Sequence, residues 1–374
     1  MKILHTSDWH LGISLHGVSL LEDQREMVAC LLESVRAEQV DAVVIAGDIF
    51  DHAVARPDAI DLYNDAMTAL CRDCSLPVLL IPGNHDGAAR LSACSALLQD
   101  AGLHIAGRLE QAFEPVVLGD AAFFLLPYFN IEQVRQLFPE ETVRSYSDAM
   151  AVVVRQMRER FVPGRRQILV AHCFAAGAQL SESDRTALVG GSSQIACEAF
   201  DGFDYVALGH LHRAQEPGGS LRYSGSPWCY SFSEAGQGKS FTLLETETLV
   251  RRELPVHTSR MLRVCKGELA SLQFACGFDP HREDYLKIEL TDAPAGLETL
   301  EYFRERYPNL LLLTGVSPQP DTGADSLTVE QLSELGPEEL LQHFCVEVGG
   351  EPLTEEQLGW FREAAEQADK EAVQ

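Results

Sequence analysis

The 374-residue chain is short of basic residues for its length. It carries 29 Lys and Arg against 56 Asp and Glu, which gives a formal net charge of −27 at pH 7. Part of this excess lies at one end, because residues 321–374 hold 14 acidic and 2 basic residues. Lys and Arg normally neutralise the phosphates that a protein contacts, so we expect the chain to bind nucleic acid poorly on its own. A nucleic-acid substrate would therefore require a basic groove on a partner.

The sequence also lacks long apolar runs and a cysteine framework. No apolar stretch approaches the ~20 residues of a membrane span, and the chain reaches Asp8 without room for the apolar region of a signal peptide. The ten cysteines lack disulfide spacing, and Cys71 and Cys74 have no second pair to complete a zinc site, so we interpret them as helix cysteines. Unpaired thiols are typical of a reducing compartment. We expect a cytoplasmic enzyme with no membrane partner.

Five short motifs distribute potential metal ligands along the chain. Each follows a short apolar run of the kind that forms a buried strand, and three of these runs lead straight into a glycine. In an open α/β sheet, ligands bind outside the carboxyl ends of the strands, so five strands would bring these side chains to one edge. The sequence therefore predicts a metal site there. Its candidate ligands are Asp8, His10, Asp48, Asn84, His172, His210 and His212.

The types and number of these ligands restrict the metal. Imidazole, carboxylate and amide oxygen without thiolate favour borderline-to-hard divalent ions over a closed structural zinc site. Seven ligands are too many for one tetrahedral centre, so we expect two ions, with Asp48 as the bridge because its carboxylate has two oxygens. Two ions roughly 3.5–4 Å apart polarise a phosphoryl oxygen and stabilise in-line displacement. The predicted chemistry is therefore hydrolysis of a phosphate ester.

His85 stands next to the candidate ligand Asn84 and need not bind a metal itself. It is the candidate catalytic residue, because an imidazole there could protonate the leaving oxygen or offset charge on the transferring phosphoryl group. Asp51 and Asp86 are candidates to orient His85 and set its tautomer, as carboxylates behind metal sites do. His52 directly follows the Gly-Asp-x-x-Asp motif and is a candidate phosphate contact.

Taken in order, the motifs D-x-H, G-D-x-x-D, G-N-H-D, a lone His and G-H-x-H resemble those of the calcineurin-like metallophosphoesterases. The flanking residues give a closer match. Residues 1–12, 40–51, 205–215 and 222–227 are similar to segments of the SbcD family, the nuclease subunits of bacterial SbcCD complexes. The resemblance covers about residues 1–255, and every position of the family's metal site is filled.

This resemblance implies a substrate and a set of roles that spacing alone does not. SbcD-like proteins are manganese-dependent DNA nucleases that work with an SbcC-like ATPase in DNA repair, recombination and replication. They act as exonucleases on double-stranded ends and as endonucleases on single strands and hairpins, and a homodimer within a heterotetramer is an assembly the resemblance allows. With His85 catalytic, the carried-over ligands of one Mn²⁺ are Asp8, His10, Asp48 and His212. Those of the other are Asp48, Asn84, His172 and His210.

Hydrophobic patterns predict the organisation of the chain. Helical periodicity over residues 22–38, 58–70 and 91–98, between the ligand strands, gives β-α-β units and an α/β fold. Together with the resemblance, this predicts that residues 1–256 form a layered metallophosphoesterase β-sandwich flanked by helices, the nuclease domain. Residues 257–317 show a β-α-β-α-β pattern, which predicts a small α+β capping domain.

The expected helical tail, residues 318–374, begins with a Pro-containing linker. Two of its segments, residues 327–332 and 353–358, have the same build, with Thr at the N-cap, Gln at N3 and flanking Leu side chains that form a hydrophobic staple. Leu358 and Phe361 then begin an apolar stripe. This stripe would pack either on the chain's own body or on a partner, and the resemblance favours a partner-binding arm.

Three functions are compatible with the motifs. A DNA nuclease subunit is the leading hypothesis, a phosphoesterase of small molecules or proteins is the second, and a non-catalytic scaffold is the third. The metal motifs alone would serve either enzyme, whereas the flanking residues and the tail favour the nuclease. A scaffold would not need all seven ligands together with His85. The expected cofactors are two Mn²⁺ ions, which other divalent ions could replace.

Overall fold

The computed structural model describes residues 1–180, 194–316, 336–349, 352–355 and 357–362. Within these residues, no helix combines the length and the apolar character needed to cross a membrane. All ten cysteines lie in them, each as a free thiol. The fold is therefore held together by packing and hydrogen bonds rather than by disulfides.

Strands and helices alternate along much of the chain. The strands are β1 (Lys2–Thr6), β2 (Ser14–Leu15), β3 (Val18–Ser19), β4 (Ala42–Ala46), β5 (Val78–Ile81), β6 (Leu103–Ile105), β7 (Val116–Leu118), β8 (Ala121–Leu126), β9 (Arg166–His172), β10 (Tyr205–Gly209), β11 (Leu221–Tyr223), β12 (Ser240–Glu245), β13 (Arg251–Pro255), β14 (Leu262–Gly267), β15 (Tyr285–Leu290) and β16 (Leu310–Thr314). The α-helices are α1 (Leu21–Glu38), α2 (Pro57–Thr68), α3 (Ala88–Leu91), α4 (Ser95–Leu98), α5 (Ile131–Leu137), α6 (Tyr146–Arg158), α7 (Leu269–Cys276), α8 (Leu297–Arg304) and α9 (Pro337–Gly349). A π-helical turn covers Ala69–Asp73, and 3₁₀ turns cover Gln99–Ala101, Leu109–Phe113, Cys197–Phe200 and Phe232–Glu234.

Two sheets stack face to face. The first sheet has the strand order β13-β12-β1-β4-β5-β6, in which β1, β4, β5 and β6 run parallel. The second sheet has the order β11-β10-β9-β8-β7 and is parallel except for β7. Apolar side chains fill the layer between them, such as Ile3 and Val44 from the first sheet and Phe123 and Val170 from the second. The predicted layered sandwich is confirmed.

Helices cover the outer face of each sheet. α1 and α2 pack on the first sheet through side chains such as Leu31 and Leu62, and α5 and α6 pack on the second through Val134 and Val153. Because both faces of each sheet are covered, the central strands β4 and β10 are buried at every residue. This explains why their sequences are continuous apolar runs instead of alternating patterns.

The parallel strands end at one edge of the sandwich. β1, β4 and β5 of the first sheet and β9 and β10 of the second are followed by, or end in, the predicted metal ligands. Hydrogen bonds join neighbouring loops at this edge: the Asp8 N–H donates to the Gly47 carbonyl at 2.9 Å and the His10 N–H donates to the Asp48 carbonyl at 3.0 Å. Both sheets therefore contribute to the same site.

Two predicted helices differ in the structure. The prediction of one helix over residues 91–98 is wrong, because α3 and α4 are four-residue helices separated by residues 92–94, and the φ of Cys94, 58°, is left-handed. A left-handed residue cannot continue a right-handed helix, and hydrophobic periodicity does not detect it. α2 starts at Pro57, which suits the first helical position, and continues into the π-helical turn. Cys71 lies in that turn and Cys74 directly follows it.

Residues 262–314 form a separate small sheet with its own core. β14, β15 and β16 pair in parallel in that order, and α7 and α8 connect them, so the predicted β-α-β-α-β succession is present. The strands are parallel because each connecting helix returns the chain to the same end of the sheet. The core of this small unit includes Leu286, Ile288, Phe303 and Tyr307.

The small unit is fixed to the start of α1 by a buried polar contact. The Asp23 carboxylate is fully buried and accepts hydrogen bonds from the Tyr285 hydroxyl at 2.8 Å and from Arg260 Nε at 2.9 Å. Burial raises the pKa of Asp23, although both partners act to lower it. Leu20 and Trp228 surround the contact in an apolar cluster with Tyr285. A carboxylate can be buried here only because its oxygens are satisfied.

The described part of the tail contains α9 and a short helical segment after Thr354. The predicted capping box of that segment is present: Thr354 Oγ1 accepts from the Gln357 N–H at 3.3 Å, and Gln357 Oε1 accepts from the Thr354 N–H at 2.9 Å. Arg362 Nε donates to Glu338 at 2.9 Å, so an ion pair joins the two helical segments. The matching segment, residues 327–332, lies outside the described residues, as does most of the linker.

Candidate metal centre

The loops after β1, β4, β5, β9 and β10, together called the ligand edge, bring the seven predicted ligands together. In one half of the cluster, His172 Nε2 lies 3.2 Å from Asp48 Oδ2 and 3.0 Å from Asn84 Oδ1. His210 Nδ1 lies 3.1 Å from the same Asn84 oxygen. Residues from four loops thus present nitrogen and oxygen donors to one small volume.

The other half of the cluster is formed around His10. Its Nε2 lies 3.2 Å from His212 Nε2 and 3.8 Å from Asp48 Oδ2. The donor atoms of Asp8, His10 and His212 lie within 4.8 Å of one another, and so do those of Asp8, Asp48 and His172. Asp48 reaches both halves of the cluster, which is the geometry that a bridging carboxylate needs.

The ligand edge contains unusual backbone. Asp8, His10, Asp48 and His210 have φ values of 54°, 43°, 51° and 99°, in a region that side chains other than glycine rarely adopt. They are four of the nine such non-glycine residues in the described part of the chain. Each such residue costs of order 1–3 kcal/mol, which surrounding contacts must offset. The concentration of this strain on predicted ligands identifies the edge as the candidate functional site.

Two glycines leave the space that the cluster occupies. A Cβ on Gly83 would lie 2.2 Å from Asp48 Oδ1, and a Cβ on Gly209 would lie 2.0 Å from the Ala46 carbonyl oxygen and 2.9 Å from His172 Nδ1. Any side chain at either position would push apart loops that must touch. The glycines that close the apolar runs are therefore part of the site's construction.

Burial and mutual contact change the proton affinities of the cluster. Burial raises the pKa of Asp8 to about 6 and lowers the pKa of His10 and of His210 to about 3. Burial alone would raise the pKa of Asp48 and lower the pKa of His172. The contact between the two groups has the opposite effect on both pKa values and is the stronger of the two effects. The pKa of Asp48 lies well below its usual range, and that of His172 rises to about 9. His172 therefore holds a proton at neutral pH until another cation displaces it.

The donors of the cluster fit a pair of divalent cations. The Nε2 atoms of His10 and His212 face each other at 3.2 Å, so both imidazoles can offer a nitrogen to the same small volume. Among the described residues, the buried Nδ1 of His10 has no hydrogen-bond partner. The donor set of imidazoles, carboxylates and one amide oxygen suits borderline-to-hard divalent ions.

His85 lies half-buried beside the cluster. Its ring centroid is 4.9 Å from that of His10, and its backbone N–H donates to Asp48 Oδ1 at 2.9 Å. Its Nδ1 lies 2.9 Å from the Asp51 carbonyl oxygen, and because a carbonyl only accepts, Nδ1 carries the hydrogen of this bond. Donor atoms of His10, Asp51 and His85 also lie within 4.8 Å of one another, so the distances alone are compatible with a ligand role for His85.

The other candidate residues near His85 have different surroundings. Asp51 contacts His85 through its backbone carbonyl, whereas its carboxylate lies 3.2 Å from His52 Nε2. The His52 side chain is 81% exposed and thus accessible to a phosphate. The Asp86 carboxylate ties the β4 and β5 loops together rather than contacting the His85 ring. Its donors are the backbone N–H groups of Gly83, Ile49 and Phe50, at 2.9, 3.1 and 2.9 Å.

Sequence reasoning missed a buried ion pair behind His212. Glu234 is fully buried, its Oε1 lies 2.9 Å from His212 Nδ1, and Lys239 Nζ lies 2.6 Å from its Oε2. Burial acts to raise the pKa of Glu234, but His212 and Lys239 hold it at about 2. Neither residue stands in a metal-binding motif, so no local pattern distinguished it.

Residues that support the first ligand loop were also missed. Gln24 on α1 donates from Nε2 to the Trp9 and His10 carbonyls at 3.0 and 2.8 Å. The Ser7 hydroxyl donates to Asp8 Oδ2 at 2.5 Å. Trp9 itself is fully buried, so it packs the loop and is not available to stack on a substrate. These contacts fix the left-handed backbone of the loop in place.

Comparison with known proteins identifies the family. The calcineurin-like phosphoesterase family matches residues 1–214, and a family described as the type 5 capsule protein repressor C-terminal domain matches residues 258–348. The first match spans more than half of the chain and includes all seven predicted ligands. The chain therefore belongs to the calcineurin-like phosphoesterases and is a phosphoesterase by class.

Two relatives show to which family of phosphoesterases the chain belongs. The chain is 31% identical over 360 residues to the SbcD subunit of the SbcCD nuclease of Staphylococcus saprophyticus, with 96% of each chain covered. It is 32% identical over 320 residues to the SbcD subunit from Staphylococcus epidermidis, with 84% of this chain and 86% of that one covered. A dimetal phosphatase from Danio rerio is similar at 14% identity and a TM-score of 0.42, over 69% of this chain and 99% of that one. The two Staphylococcus relatives show that the chain is a member of the SbcD family.

Proposed function

We propose that the chain is the DNA nuclease subunit of an SbcCD-like complex and hydrolyses phosphodiester bonds with two Mn²⁺ ions. It would act in the cytoplasm in DNA repair, recombination and replication, as an exonuclease on double-stranded ends and an endonuclease on single strands and hairpins. The observation that carries the proposal is the convergence of seven nitrogen and oxygen donors on one edge. The name of the two relatives supports the nuclease activity and the SbcC partner.

The ligands would divide between the two ions as the family resemblance implies. When bound, two such ions polarise the scissile phosphate and stabilise the charge that develops during in-line displacement. The protein's contribution is to fix the donors on strand ends that both sheets hold rigid. One ion would be held by Asp8, His10, Asp48 and His212. The other would be held by Asp48, Asn84, His172 and His210.

His85 would act on the leaving oxygen. Because Nδ1 donates to the Asp51 carbonyl, Nε2 is the atom of His85 that exchanges a proton with the substrate. A protonated Nε2 would also offset charge on the transferring phosphoryl group. General acid–base help of this kind contributes roughly 10²–10⁴-fold to a rate.

A cleft beside the ligand edge suits an extended substrate. It has a volume of about 750 Å³ and lies between the nuclease sandwich and the small unit. Tyr230 connects it to the site, since its ring centroid is 5.5 Å from that of His10. Aromatic rings stack on bases and cationic groups contact phosphates, so this lining favours a nucleic-acid strand over a small phosphoester. The lining includes the ring pair His16 and Phe232 and the cation Arg213. It also includes Lys287, whose Nζ lies 2.6 Å from the Glu289 carboxylate.

The chain would need a partner to hold DNA. Its net charge of −27 opposes a polyanion, and bound cations would offset only part of this charge. Arg90 and Arg213 follow ligand loops and are exposed, but two such residues supply little of a basic groove. Arg185 also follows a ligand motif, that of His172, but it lies outside the described residues. An SbcC-like ATPase is the partner that we propose supplies the groove.

The C-terminal tail is the proposed docking element for this ATPase. Leu358, one of the two residues predicted to bind the partner, is only 6% exposed, and Phe361 is half-buried. Leu340, Phe344 and Trp360 are 43%, 60% and 61% exposed. Exposed aromatic side chains are typical anchors of protein interfaces. We therefore propose that Leu358 holds the tail's own packing while the exposed side chains contact the partner.

The proposed functional division of the chain follows the predicted boundaries. Residues 1–256 would be the nuclease domain, residues 257–317 the capping domain and residues 318–374 the linker and partner-binding tail. The separate core of the small unit and its contact with Asp23 support a capping domain that can be positioned as a whole. Its face toward the cleft would then help to determine which DNA ends reach the site.

A second copy of the chain is the proposed occupant of an apolar surface around α2 and α4. Val54 and Leu97 are 70% and 74% exposed, and Ile60 is 40% exposed. Val54 and Ile60 line a mainly apolar cavity of about 660 Å³. A two-fold pair of chains buries the same patch twice, which makes a homodimer the simplest way to cover such a surface. This homodimer would form the centre of a heterotetramer with the ATPase.

The nuclease proposal is tested with the purified chain, Mn²⁺ and three DNA substrates: a linear duplex, a hairpin and a single strand. Each is incubated with and without the SbcC-like ATPase. We expect Mn²⁺-dependent cleavage that excess EDTA stops, with duplex ends cut faster when the ATPase is present. Full cleavage in EDTA would refute the metal assignment. Hydrolysis of a small phosphomonoester with all three DNAs intact would instead favour the second hypothesis.

A further inference from the structure

We propose that Glu234 and Lys239 are positioning residues that hold His212 in the orientation in which it binds its metal ion. Neither residue belongs to the motifs that predicted the site. The inference rests on the proposed function in that it takes His212 as a metal ligand. It adds two residues from a separate segment of the chain, which follows β11 and precedes β12.

Glu234 lies directly behind the His212 ring. Its Oε1 is 2.9 Å from His212 Nδ1, while Nε2 on the other side of the ring is 3.2 Å from His10 Nε2. A carboxylate only accepts, so in a neutral imidazole the hydrogen lies on Nδ1 and the lone pair on Nε2, facing the cluster. The contact therefore sets both the tautomer and the rotation of the ring. Carboxylates behind metal-binding histidines have this role in many proteins.

Lys239 holds the same histidine at its backbone. Its Nζ donates to the His212 carbonyl at 2.9 Å and to Ser226 Oγ at 2.9 Å, and it lies 2.6 Å from Glu234 Oε2. The Lys239 side chain is 8% exposed, so these three contacts take up the three hydrogens of a buried ammonium group. Lys239 thus fixes the backbone of His212 directly and its ring through Glu234.

A role in packing alone does not explain this pair. A buried ion pair is often no more stable than apolar side chains of the same volume, because both charges must leave water. Apolar replacements at these positions would fill the space but would leave His212 Nδ1 without the Glu234 acceptor. The directed contacts are explained if the purpose of the pair is to orient His212.

The same segment also supports the neighbouring ligand. The Tyr230 hydroxyl donates to the Trp9 carbonyl, directly before His10, and the Tyr230 ring contacts the His10 ring at a centroid distance of 5.5 Å. Two ligands proposed for the same ion, His10 and His212, are therefore fixed by one segment. Loss of the ion pair between Glu234 and Lys239 should therefore weaken binding of the metal ion held by His10 and His212 more than binding of the other ion.

The test uses the full-length variants Glu234→Leu, Glu234→Gln and Lys239→Met. Mn²⁺ binding is measured by calorimetry without DNA, and DNA cleavage is measured as a function of Mn²⁺ concentration. We expect Glu234→Leu and Lys239→Met to weaken one of two Mn²⁺ sites by roughly 10–100-fold, with cleavage recovering at high Mn²⁺. Glu234→Gln keeps an acceptor oxygen and should regain part of the affinity. Glu253→Gln is the control, since Glu253 is 57% exposed and pairs with Arg222 rather than with a proposed ligand, so this variant should bind Mn²⁺ as the wild type does.

The outcomes separate this inference from its alternatives. Wild-type Mn²⁺ affinity in Glu234→Leu and Lys239→Met would overturn the proposal. If one of the two variants does not fold, the Mn²⁺ affinity of the other tests the proposal alone. The proposal would also be overturned if circular dichroism showed that neither variant folds in the metal-free state. The pair would then be purely structural. A wild-type chain that binds two Mn²⁺ ions but leaves DNA intact would contradict the proposed nuclease function alone.

Discussion

The ligand edge buries charged side chains that are usually exposed, whereas the C-terminal tail exposes aromatic side chains that are usually buried. At the ligand edge, the carboxyl groups of Asp8 and Asp48 belong to residues that are 0% and 2% exposed. In the tail, the aromatic residues Phe344 and Trp360 are 60% and 61% exposed. Burying clustered carboxylates and exposing large aromatics are both unfavourable in an isolated chain. Each region therefore fits its proposed role: the ligand edge would bind cations, and the tail would bind an apolar surface of the partner.

The two regions also differ in how firmly they are built. At the ligand edge, backbone hydrogen bonds join the loops, and the Asp86 carboxylate accepts three more bonds from backbone N–H groups. In the described tail, the capping box at Thr354 and the ion pair between Arg362 and Glu338 are local, exposed contacts. A metal site needs donors fixed to within about 0.5 Å, whereas a docking helix needs only an apolar face. The construction of each region follows from what it is proposed to bind.

The largest expected effect is that of Asp48→Ala at the ligand edge. Because Asp48 is the proposed bridge, its loss should release both ions and abolish cleavage, measured by elemental analysis and by DNA digestion with Mn²⁺. Asp41→Ala is the matched control, since Asp41 precedes the same strand at its other end and accepts from the Lys2 N–H at 2.7 Å. Retention of both ions at wild-type affinity would exclude Asp48 as the bridge.

His85→Ala should have the next largest effect and should leave the metals in place. We expect a rate loss of roughly 10²–10⁴-fold with both ions bound, as for the removal of a general acid. His104→Ala on the neighbouring strand β6 is the control, because His104 is a half-buried histidine outside the cluster. If His85→Ala loses metal to the same extent as Asp48→Ala, His85 is a ligand, the role that its distances to His10 and Asp51 also permit.

The ligand edge could be predicted because its information is local. Each candidate ligand stands just after an apolar run or at its end, and the carboxyl ends of parallel strands meet at one edge whatever the pairing order. The sequence does not contain the pairing itself. That two sheets share this edge depends on contacts such as Asp48 with His172, which only the folded chain brings to 3.2 Å.

The remaining features depend on tertiary contacts or on single backbone angles. Glu234 has no motif, and its importance comes from a contact with a different segment at His212. Asp86 neighbours His85 in sequence, yet its carboxylate faces the backbone of the β4 loop. The left-handed φ of Cys94 divides a helix that hydrophobic periodicity predicts as continuous. Patterns along the chain contain none of these facts, because the first two arise where separate segments meet and the third is a single backbone angle.

In the tail, the double substitution of Phe344→Ala with Trp360→Ala removes the two most exposed aromatic side chains proposed to contact the partner. Truncating an interface aromatic costs on the order of 2 kcal/mol or more, so each change should weaken binding of the SbcC-like ATPase by about 30-fold. Metal-dependent cleavage of single-stranded DNA should be unchanged. Leu297→Ala is the control, since Leu297 is 71% exposed and lies on α8 of the small unit, outside the tail.

Deletion of residues 321–374 extends this test to the whole tail. It should abolish association with the ATPase in co-elution experiments while the nuclease domain keeps its metals. A truncated chain that still co-elutes would show that docking lies elsewhere. A truncated chain that unfolds or loses its metals would show that the tail packs on the chain's own body.

The smallest expected effect is the release of a proton from the ligand edge when a metal ion binds there. Burial acts to lower the pKa of His172, but the Asp48 and Asp8 carboxylates raise it to about 9 in the metal-free chain. A metal binds the neutral imidazole, so binding expels this proton. Calorimetry in buffers of different ionisation enthalpy should detect release of about one proton from His172 near neutral pH. The release should fall toward zero as the pH rises through about 9.

The same proton has a consequence for the stability of the metal-free chain. The folded-state pKa of His172, about 9, lies above its ordinary value of 6.5, so the protonated pair with Asp48 stabilises the fold fully below 6.5 and is lost as the pH rises through about 9. The melting temperature without metal should therefore fall across this interval, whereas with saturating Mn²⁺ His172 has no proton to lose. In the tail, the hydrogen bond with Arg362 lowers the pKa of Glu338, so this ion pair keeps both charges across the same interval. A flat melting profile without metal would mean that His172 is already neutral and that the ligand edge holds its carboxylates apart by other contacts.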